Sequence, residues 1–111
     1  HANSSNDPSV NGAMFYAPSS ANSYLSADVI SASNTLASTM LSFYCSTTGL
    51  ANKGVLQDDN MTGINWCTIP VTIVEMGFMS NPEEDQKMAN SEFQAVIAQG
   101  LANGIDAYFG R

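Results

Sequence analysis

Residues 70–81 read Pro-Val-Thr-Ile-Val-Glu-Met-Gly-Phe-Met-Ser-Asn, and this stretch decides the fold class. Val71–Met76 is an apolar run, rich in β-branched side chains, that is interrupted only by Thr72 and Glu75. Short apolar runs of this kind are typical of strands that are covered on both faces in α/β sheets. We therefore predict a buried strand over residues 71–76, ended by Gly77.

Glu75 stands at the end of this apolar run, where a carboxylate must give up part of its hydration. Burying a carboxylate is costly unless it is paired, protonated or close to a metal ion, and no basic residue adjoins it in the sequence. Sites in open α/β sheets lie beyond the carboxyl ends of the strands. The pattern favours a functional carboxylate, and the alternative is a Glu that reaches solvent at a strand edge.

Two helices are predicted downstream of this strand. Residues 81–85, Asn-Pro-Glu-Glu-Asp, combine an N-cap, a proline at the first helical position and acids at the positive end of the dipole. A last helix begins at a capping box formed by Ser91 and Gln94. Its apolar face comprises Phe93, Val96, Ile97, Leu101, Ile105 and Tyr108. Gly100 and Gly104 weaken this helix intrinsically, so we expect them to permit close packing on a sheet.

The upstream segment predicts a strand, a long helix and a second short strand. Residues 1–11 have the composition of a loop, and Ala13–Tyr16 is typical of a short strand. N-caps at residues 19–23 precede a helix of roughly 20 residues that ends at Gly49. The apolar face of that helix comprises Leu25, Val29, Ala32, Leu36, Met40 and Tyr44. Val55-Leu56 then indicates a brief strand.

The order strand, helix, strand, strand, helix, helix predicts an α/β fold with a central, mostly parallel sheet flanked by helices. Two or three short strands make a thin sheet. We therefore expect the 111 residues to be incomplete, as a piece of one domain whose sheet is finished by an N-terminal half.

The chain carries ten acidic and three basic residues, a net charge of -7. Nucleic-acid binding needs a cationic surface, which Lys53, Lys87 and Arg111 cannot supply, so that class of function is excluded. No apolar run approaches the roughly 20 residues of a membrane span. Charged residues are only 12% of the chain, and such a polar surface of low charge density is common in secreted proteins.

Two further features have structural interpretations. Cys45 and Cys67 match no CxxC metal pattern, and we interpret them as small buried apolar residues, with a disulfide as the alternative. Residues 57–66 are predicted to form a loop. Asp58-Asp59-Asn60 within it lacks the acidic spacing of a calcium loop, which favours a solvated loop.

His1 is the only histidine of the chain. A lone histidine is more often structural than a metal ligand. A copper site formed by a terminal amine and its imidazole needs a second imidazole, so it is rejected. The residue type alone leaves the role of His1 open.

Several segments resemble the zinc-dependent N-acetylmuramoyl-L-alanine amidases. His1-Ala2-Asn3-Ser4 resembles the family's Ser-x-His-Ala-Asn segment, and residues 70–81 resemble its Pro-x-x-x-x-Glu-x-Gly-Phe-x-x-Asn signature. Pro82–Asp85 and Ile97–Phe109 continue the likeness, and Asn65-Trp66-Cys67 is compatible with it. The resemblance spans nearly the whole chain in the same order, and the Glu-x-Gly-Phe-x-x-Asn motif is its most specific part.

The resemblance implies a zinc site of two His and one carboxylate, with water at the open position. In that site His1 is a metal ligand and Glu75 is the catalytic carboxylate. The family's first His and its Glu ligand precede the matched segments and have no counterpart here, so we expect this polypeptide alone to be inactive. The resemblance thus implies that residues 1–111 are the C-terminal portion of a single amidase catalytic domain.

The implied function is zinc-dependent hydrolysis of the amide bond between N-acetylmuramic acid and L-alanine in peptidoglycan. Such an enzyme is a bacterial cell-wall hydrolase, or autolysin, secreted or associated with the cell wall, with any separate cell-wall-binding domains outside this chain. Two alternatives remain open. One is an inactive relative that binds peptidoglycan or an activator, and the other is a zinc peptidase of similar architecture, such as a carboxypeptidase.

Overall fold

The computed structural model describes all residues from His1 to Arg111. Its strands are β1 (Ala13–Ala17), β2 (Asn52–Gln57) and β3 (Ile73–Glu75). Its helices are α1 (Ala27–Thr48), α2 (Thr62–Asn65), α3 (Pro82–Ala89) and α4 (Ser91–Tyr108). None of the helices combines the length and the hydropathy that crossing a membrane requires.

The strands form one sheet in the order β2-β1-β3. β2 runs parallel to β1, whereas β3 runs antiparallel to it, with Val74 opposite Phe15. The predicted α/β class, a sheet flanked by helices, is confirmed, but the sheet is mixed rather than mostly parallel. The connection from β2 to β3 contains only the one-turn helix α2, so it lacks the long helix that usually joins parallel strands.

β3 is shorter and more open than the predicted strand over residues 71–76. It spans Ile73–Glu75, and residues 71–74 are half-buried rather than covered on both faces. Val71, Thr72 and Val74 form part of the wall of an open apolar cavity of about 600 Å³ between α1 and α4. The apolar composition of the strand therefore reflects one packed face and one wall of this cavity.

Helix α1 covers the sheet and supplies four of the nine core residues. The core comprises Ala13, Phe15, Ala17, Ala37, Met40, Leu41, Tyr44, Leu50 and Ile97. The helix is capped by Ser26, whose side chain accepts the Val29 N–H, and it ends at Gly49 with φ 76°. It begins later than predicted because Ser19 and Asn22 donate to Asp59 instead of capping a helix.

Gly100 and Gly104 of α4 face helix α1, so the prediction that they pack on a sheet is wrong. A Cβ on Gly104 would lie 2.6 Å from the Cα of Met40, and one on Gly100 would lie 3.3 Å from the Cα of Tyr44. Helix α4 packs against α1, and its Ile97 reaches the core that α1 shares with β1. The glycines set how closely the two helices approach.

The predicted loop over residues 57–66 is more ordered than its composition indicates. It contains the helical turn α2, and the half-buried Asp59 accepts hydrogen bonds from Ser19 and Asn22. The Asn65 side chain donates to the Asp59 carbonyl at 2.7 Å. Asp59 therefore joins two loops, and the prediction that it lies in a solvated loop is wrong.

Cys45 and Cys67 are both half-buried free thiols. The structure therefore shows no disulfide between them. Burial raises the pKa of the Cys45 thiol, as expected for a cysteine that packs like a small apolar residue.

Candidate active site

Residues 1–3 pair with the outer edge of β3 and with the turn after it. The main-chain nitrogen of His1 donates to the Val74 carbonyl at 2.9 Å, and the Met76 N–H donates to the His1 carbonyl at 2.9 Å. Val74 and Met76 flank Glu75, and bonding to both flanking residues is the pattern of parallel strands. His1 is therefore the cross-strand neighbour of Glu75.

The pairing continues at Asn3. Its N–H donates to the Gly77 carbonyl at 2.7 Å, and its carbonyl accepts from the Met79 N–H at 2.8 Å, which forms a parallel bridge between Asn3 and Phe78. Residues that were predicted as loop thus extend the sheet by one short parallel segment. Composition could not reveal this pairing, because its partners lie far apart in the sequence.

Cross-strand neighbours project their side chains from the same face of a sheet, and His1 and Glu75 do so. The Nδ1 atom of His1 lies 3.6 Å from Oε1 of Glu75. This separation is longer than a direct hydrogen bond. The His1 side chain is 74% exposed and the Glu75 side chain is 10% exposed. The site is thus a buried carboxylate beside an accessible imidazole.

The second carboxylate oxygen of Glu75, Oε2, is buried and has no hydrogen-bond partner. Buried polar groups are almost always hydrogen-bonded, so an unpaired carboxylate oxygen requires an explanation. No protein group bonds to Oε2, whereas Oε1 faces the His1 imidazole. Packing within the chain therefore does not account for the unpaired Oε2.

Glu84 provides the contrast within the same molecule. It is 5% exposed, and its two carboxylate oxygens accept the Gly12 N–H at 3.0 and 2.8 Å. Oε1 also accepts the Phe78 N–H at 2.9 Å. The sequence pattern marked Glu84 only as one of the acids at a helix start and gave no partner for its carboxylate. Of the two buried carboxylates, Glu84 is satisfied by the protein and Glu75 is not.

His1 and Glu75 fit part of a zinc centre, not a whole one. The exposed imidazole is able to ligate a metal ion, and the adjacent unpaired carboxylate is able to accept a proton. However, no group of three or more His, Cys, Asp and Glu side chains is close enough to hold a metal ion. Catalytic zinc takes three protein ligands and a water molecule, so these residues supply only a fraction of that set.

The open apolar cavity beside β3 is separate from this site. Its walls come from α1, α4 and residues 69–74, and the polar side chains among them are Thr72 and Tyr108. Neither His1 nor Glu75 lines it. The cavity therefore offers shape and apolar surface, with the Tyr108 hydroxyl as its one titratable group.

Residues 1–107 match the family model described as N-acetylmuramoyl-L-alanine amidase. The uncharacterised protein YqiI of Bacillus subtilis is 31% identical over 77 residues, which cover 69% of this chain and 37% of that protein. The N-acetylmuramoyl-L-alanine amidase AmiA of Salmonella typhimurium is 43% identical over 42 residues, which cover 38% of this chain and 14% of that protein. The chain thus spans well under half the length of these curated relatives.

Among solved structures, the chain is similar to the catalytic domain of CwlV, an N-acetylmuramoyl-L-alanine amidase from Bacillus (Paenibacillus) polymyxa var. colistinus. The TM-score is 0.81 and the identity is 32%. The likeness covers 99% of this chain and 55% of that one. The arrangement of sheet and helices is therefore that of the corresponding part of this catalytic domain.

Proposed function

Since the chain belongs to the N-acetylmuramoyl-L-alanine amidase family, we propose that it acts in hydrolysing the amide bond between N-acetylmuramic acid and L-alanine in peptidoglycan. The observation that carries the proposal is the buried carboxylate of Glu75, which has an unpaired oxygen and lies 3.6 Å from the imidazole of His1. A cell-wall location, secreted or wall-associated, belongs to the same proposal, since peptidoglycan is the substrate.

Glu75 is the general base in this proposal. Its carboxylate takes a proton from the attacking water and passes it to the leaving amine, as positioned carboxylates do in amide hydrolysis. A base must lie within hydrogen-bond reach of the proton that it takes, and the proposal is supported by Oε2 of Glu75, which has no competing protein partner. Glu84 is unsuited to the role because Gly12 and Phe78 occupy its oxygens.

His1 is a metal ligand in this proposal, through its exposed imidazole. Zinc, when bound, supplies Lewis-acid polarisation of the scissile carbonyl and makes water more acidic. Two further protein ligands are required, and the described residues do not offer them near His1. We therefore propose that residues 1–111 are the C-terminal portion of one amidase catalytic domain. The 55% coverage of the CwlV catalytic domain supports this assignment.

A chimera tests the proposal directly. Residues 1–111 replace the matching part of the CwlV catalytic domain, so that the remainder of that domain supplies the other ligands. The zinc-loaded chimera should release stem peptides with a free L-alanine amino group from muropeptides, as measured by mass spectrometry, whereas the 111-residue chain should not. A folded, zinc-loaded chimera that leaves muropeptides intact would contradict the proposal. Cleavage at a peptide bond within the stem would favour the peptidase alternative.

The incomplete donor set favours one second candidate, which is peptidoglycan binding without hydrolysis. If the chain binds peptidoglycan without hydrolysing it, the chain should sediment with purified peptidoglycan. The chimera should then remain inactive although it folds and binds zinc. Binding that survives Glu75→Gln, together with an inactive parent chimera, would support this second candidate over the amidase.

A further inference from the structure

The residues that follow Glu75 hold residues 1–3 in place. The Met76 N–H donates to the His1 carbonyl, and the Met79 N–H donates to the Asn3 carbonyl at 2.8 Å. The Asn3 N–H donates in turn to the Gly77 carbonyl at 2.7 Å. The position of His1 relative to Glu75 therefore depends on where residues 76–79 lie.

Tyr44 of helix α1 fixes Met76, the first residue of this turn. Its hydroxyl donates to the Met76 carbonyl at 2.8 Å, while the N–H of Met76 is bonded to His1. Tyr44 is fully buried, and its ring packs against Phe15 of β1 with 5.7 Å between the ring centroids. Burial raises the pKa of the Tyr44 hydroxyl, so this group remains a hydrogen-bond donor.

Glu84 of helix α3 fixes Phe78, the third residue of this turn. Its carboxylate accepts the Phe78 N–H at 2.9 Å and also the Gly12 N–H immediately before β1. Phe78 is the residue that forms the parallel bridge with Asn3. The carboxylate thus ties the turn after Glu75 to the start of the central strand. Bonds from N–H groups to a charged acceptor are about twice as strong as neutral ones.

We propose that Tyr44 and Glu84 are positioning residues that keep His1 in register with Glu75. Their importance for catalysis depends on the proposed function. Tyr44 acts through the Met76 peptide and Glu84 acts through the Phe78 peptide, so neither needs to touch the substrate. Together they anchor the turn from two different helices, one on each side of Gly77.

Amide hydrogen exchange tests the assignment in the 111-residue chain. Tyr44→Phe keeps the ring and removes the hydrogen bond, and it should speed exchange at the Met76 and Asn3 amides about tenfold. The amide of Leu41, in the middle of α1, should keep its rate. Tyr24→Phe is the matched control, because Tyr24 is 70% exposed. Unchanged exchange at Met76, or an equal increase at Leu41, would overturn the role of Tyr44.

Glu84→Gln should speed exchange at the Phe78 and Gly12 amides, and at Met79, more than at the amides of α1. Its control is Glu83→Gln, since the Glu83 side chain is 80% exposed in the same helical turn. A uniform increase along the chain would show that Glu84 serves global stability alone. If Glu84→Gln does not fold, Glu84→Asp, which keeps the charge and shortens the side chain, is the second variant, and unchanged exchange at Phe78 and Gly12 in it would overturn the role of Glu84.

In the hydrolysing chimera, Tyr44→Phe should lower kcat about tenfold with little change in KM, because it displaces a reacting group rather than a binding group. An unchanged kcat would overturn the positioning role. A parent chimera without any hydrolysis would instead overturn the proposed function, and the exchange rates would still decide whether Tyr44 and Glu84 hold the register.

Discussion

His1 lies beside Glu75 because the main chain of His1 bonds to Val74 and Met76, the residues on either side of Glu75. The register of a short parallel segment therefore sets the 3.6 Å between the imidazole and the carboxylate. A change in that register by one residue would send the His1 side chain to the opposite face of the sheet. The experiments below separate the chemistry of this pair from the packing that supports it.

Replacing Glu75 by Gln keeps the shape of the side chain and removes the proton acceptor. In the hydrolysing chimera we expect Glu75→Gln to lower turnover by at least about 10²-fold, since general-base catalysis contributes that much or more. Zinc content should stay normal, as measured by metal analysis of the same preparation. Near-normal turnover would make the carboxylate structural, and lost zinc would make it a ligand. Glu83→Gln, at an exposed carboxylate, serves as the control.

The stability of the chain should respond much more strongly to replacement of Glu84 than to the same replacement of Glu75. Glu84→Gln weakens charge-assisted bonds from Gly12 and Phe78, so it should lower the free energy of unfolding by about 1.5–3 kcal/mol. Glu75→Gln breaks no hydrogen bond to Oε2 and should change that free energy by less than about 1 kcal/mol. Urea unfolding of both variants measures the difference. Equal losses would mean that the unpaired oxygen of Glu75 has a partner in solution.

Metal removal should distinguish His1 from Glu75. A chelator should abolish hydrolysis by the chimera, and added zinc should restore it. His1→Ala should prevent this restoration because one of three protein ligands is missing, whereas Glu75→Gln should rebind zinc and remain inactive. Metal content after gel filtration is the readout. A normal zinc content in His1→Ala would show that His1 is not a zinc ligand.

Asp59 should make stability depend on pH in the acid range. Hydrogen bonds from the Ser19 side chain, the Ser19 N–H and Asn22 lower the pKa of Asp59 below its ordinary 3.8. A lowered folded-state pKa contributes stability that is present above 3.8 and is lost as the pH falls through the folded value. Asp59→Asn should therefore be less stable than the parent at pH 7, and the difference should shrink below pH 3.8.

Thermal unfolding of the two proteins at both pH values measures this effect. Asp58→Asn is the control, since Asp58 accepts only the N–H of Asn60 in its own loop. A difference between parent and Asp59→Asn that stays constant with pH would assign the loss to packing rather than to charge.

Gly104→Ala should destabilise the chain although alanine favours helices by about 1 kcal/mol. The added Cβ would lie 2.6 Å from the Cα of Met40, so α4 must move away from α1. Overpacking of this kind costs about 1–3 kcal/mol. Gly100→Ala meets its nearest atom at 3.3 Å and should cost less. A gain in melting temperature for Gly104→Ala would mean that the helix contact is looser in solution.

Local patterns predicted the elements whose residues carry their own signals. α3 begins with an Asn81 cap and Pro82 at its first position, and α4 begins near its predicted capping box, with Asn90 as the N-cap. β3 is shorter than its apolar run. The prediction of a mostly parallel sheet was wrong because the sequence of a strand does not encode the direction in which its partner runs. The partners of Asp59 and Glu84 were not predicted for a related reason, since they lie in distant loops.

Glu75 could be identified as a candidate from the sequence by physical reasoning, whereas His1 could not. Glu75 stood out physically, as an acid in an apolar strand. His1 had no local signal, and only the family resemblance singled it out. Neither route predicted Tyr44 as a neighbour of the site, because its periodicity marked it simply as a core residue of α1. Roles for His1 and Glu75 remain predictions that the experiments above address.

The pairing of His1 with β3 joins atoms that are 73 positions apart in the sequence. Contacts of such long range require a large loop to close, so they form late in folding, after local helices and short-range packing. β3 has to dock on β1 before residues 1–3 have an edge to pair with. The candidate site therefore exists only once this long-range pairing has formed, and Glu75 and His1 are unconnected in any state of the chain in which residues 1–3 are undocked.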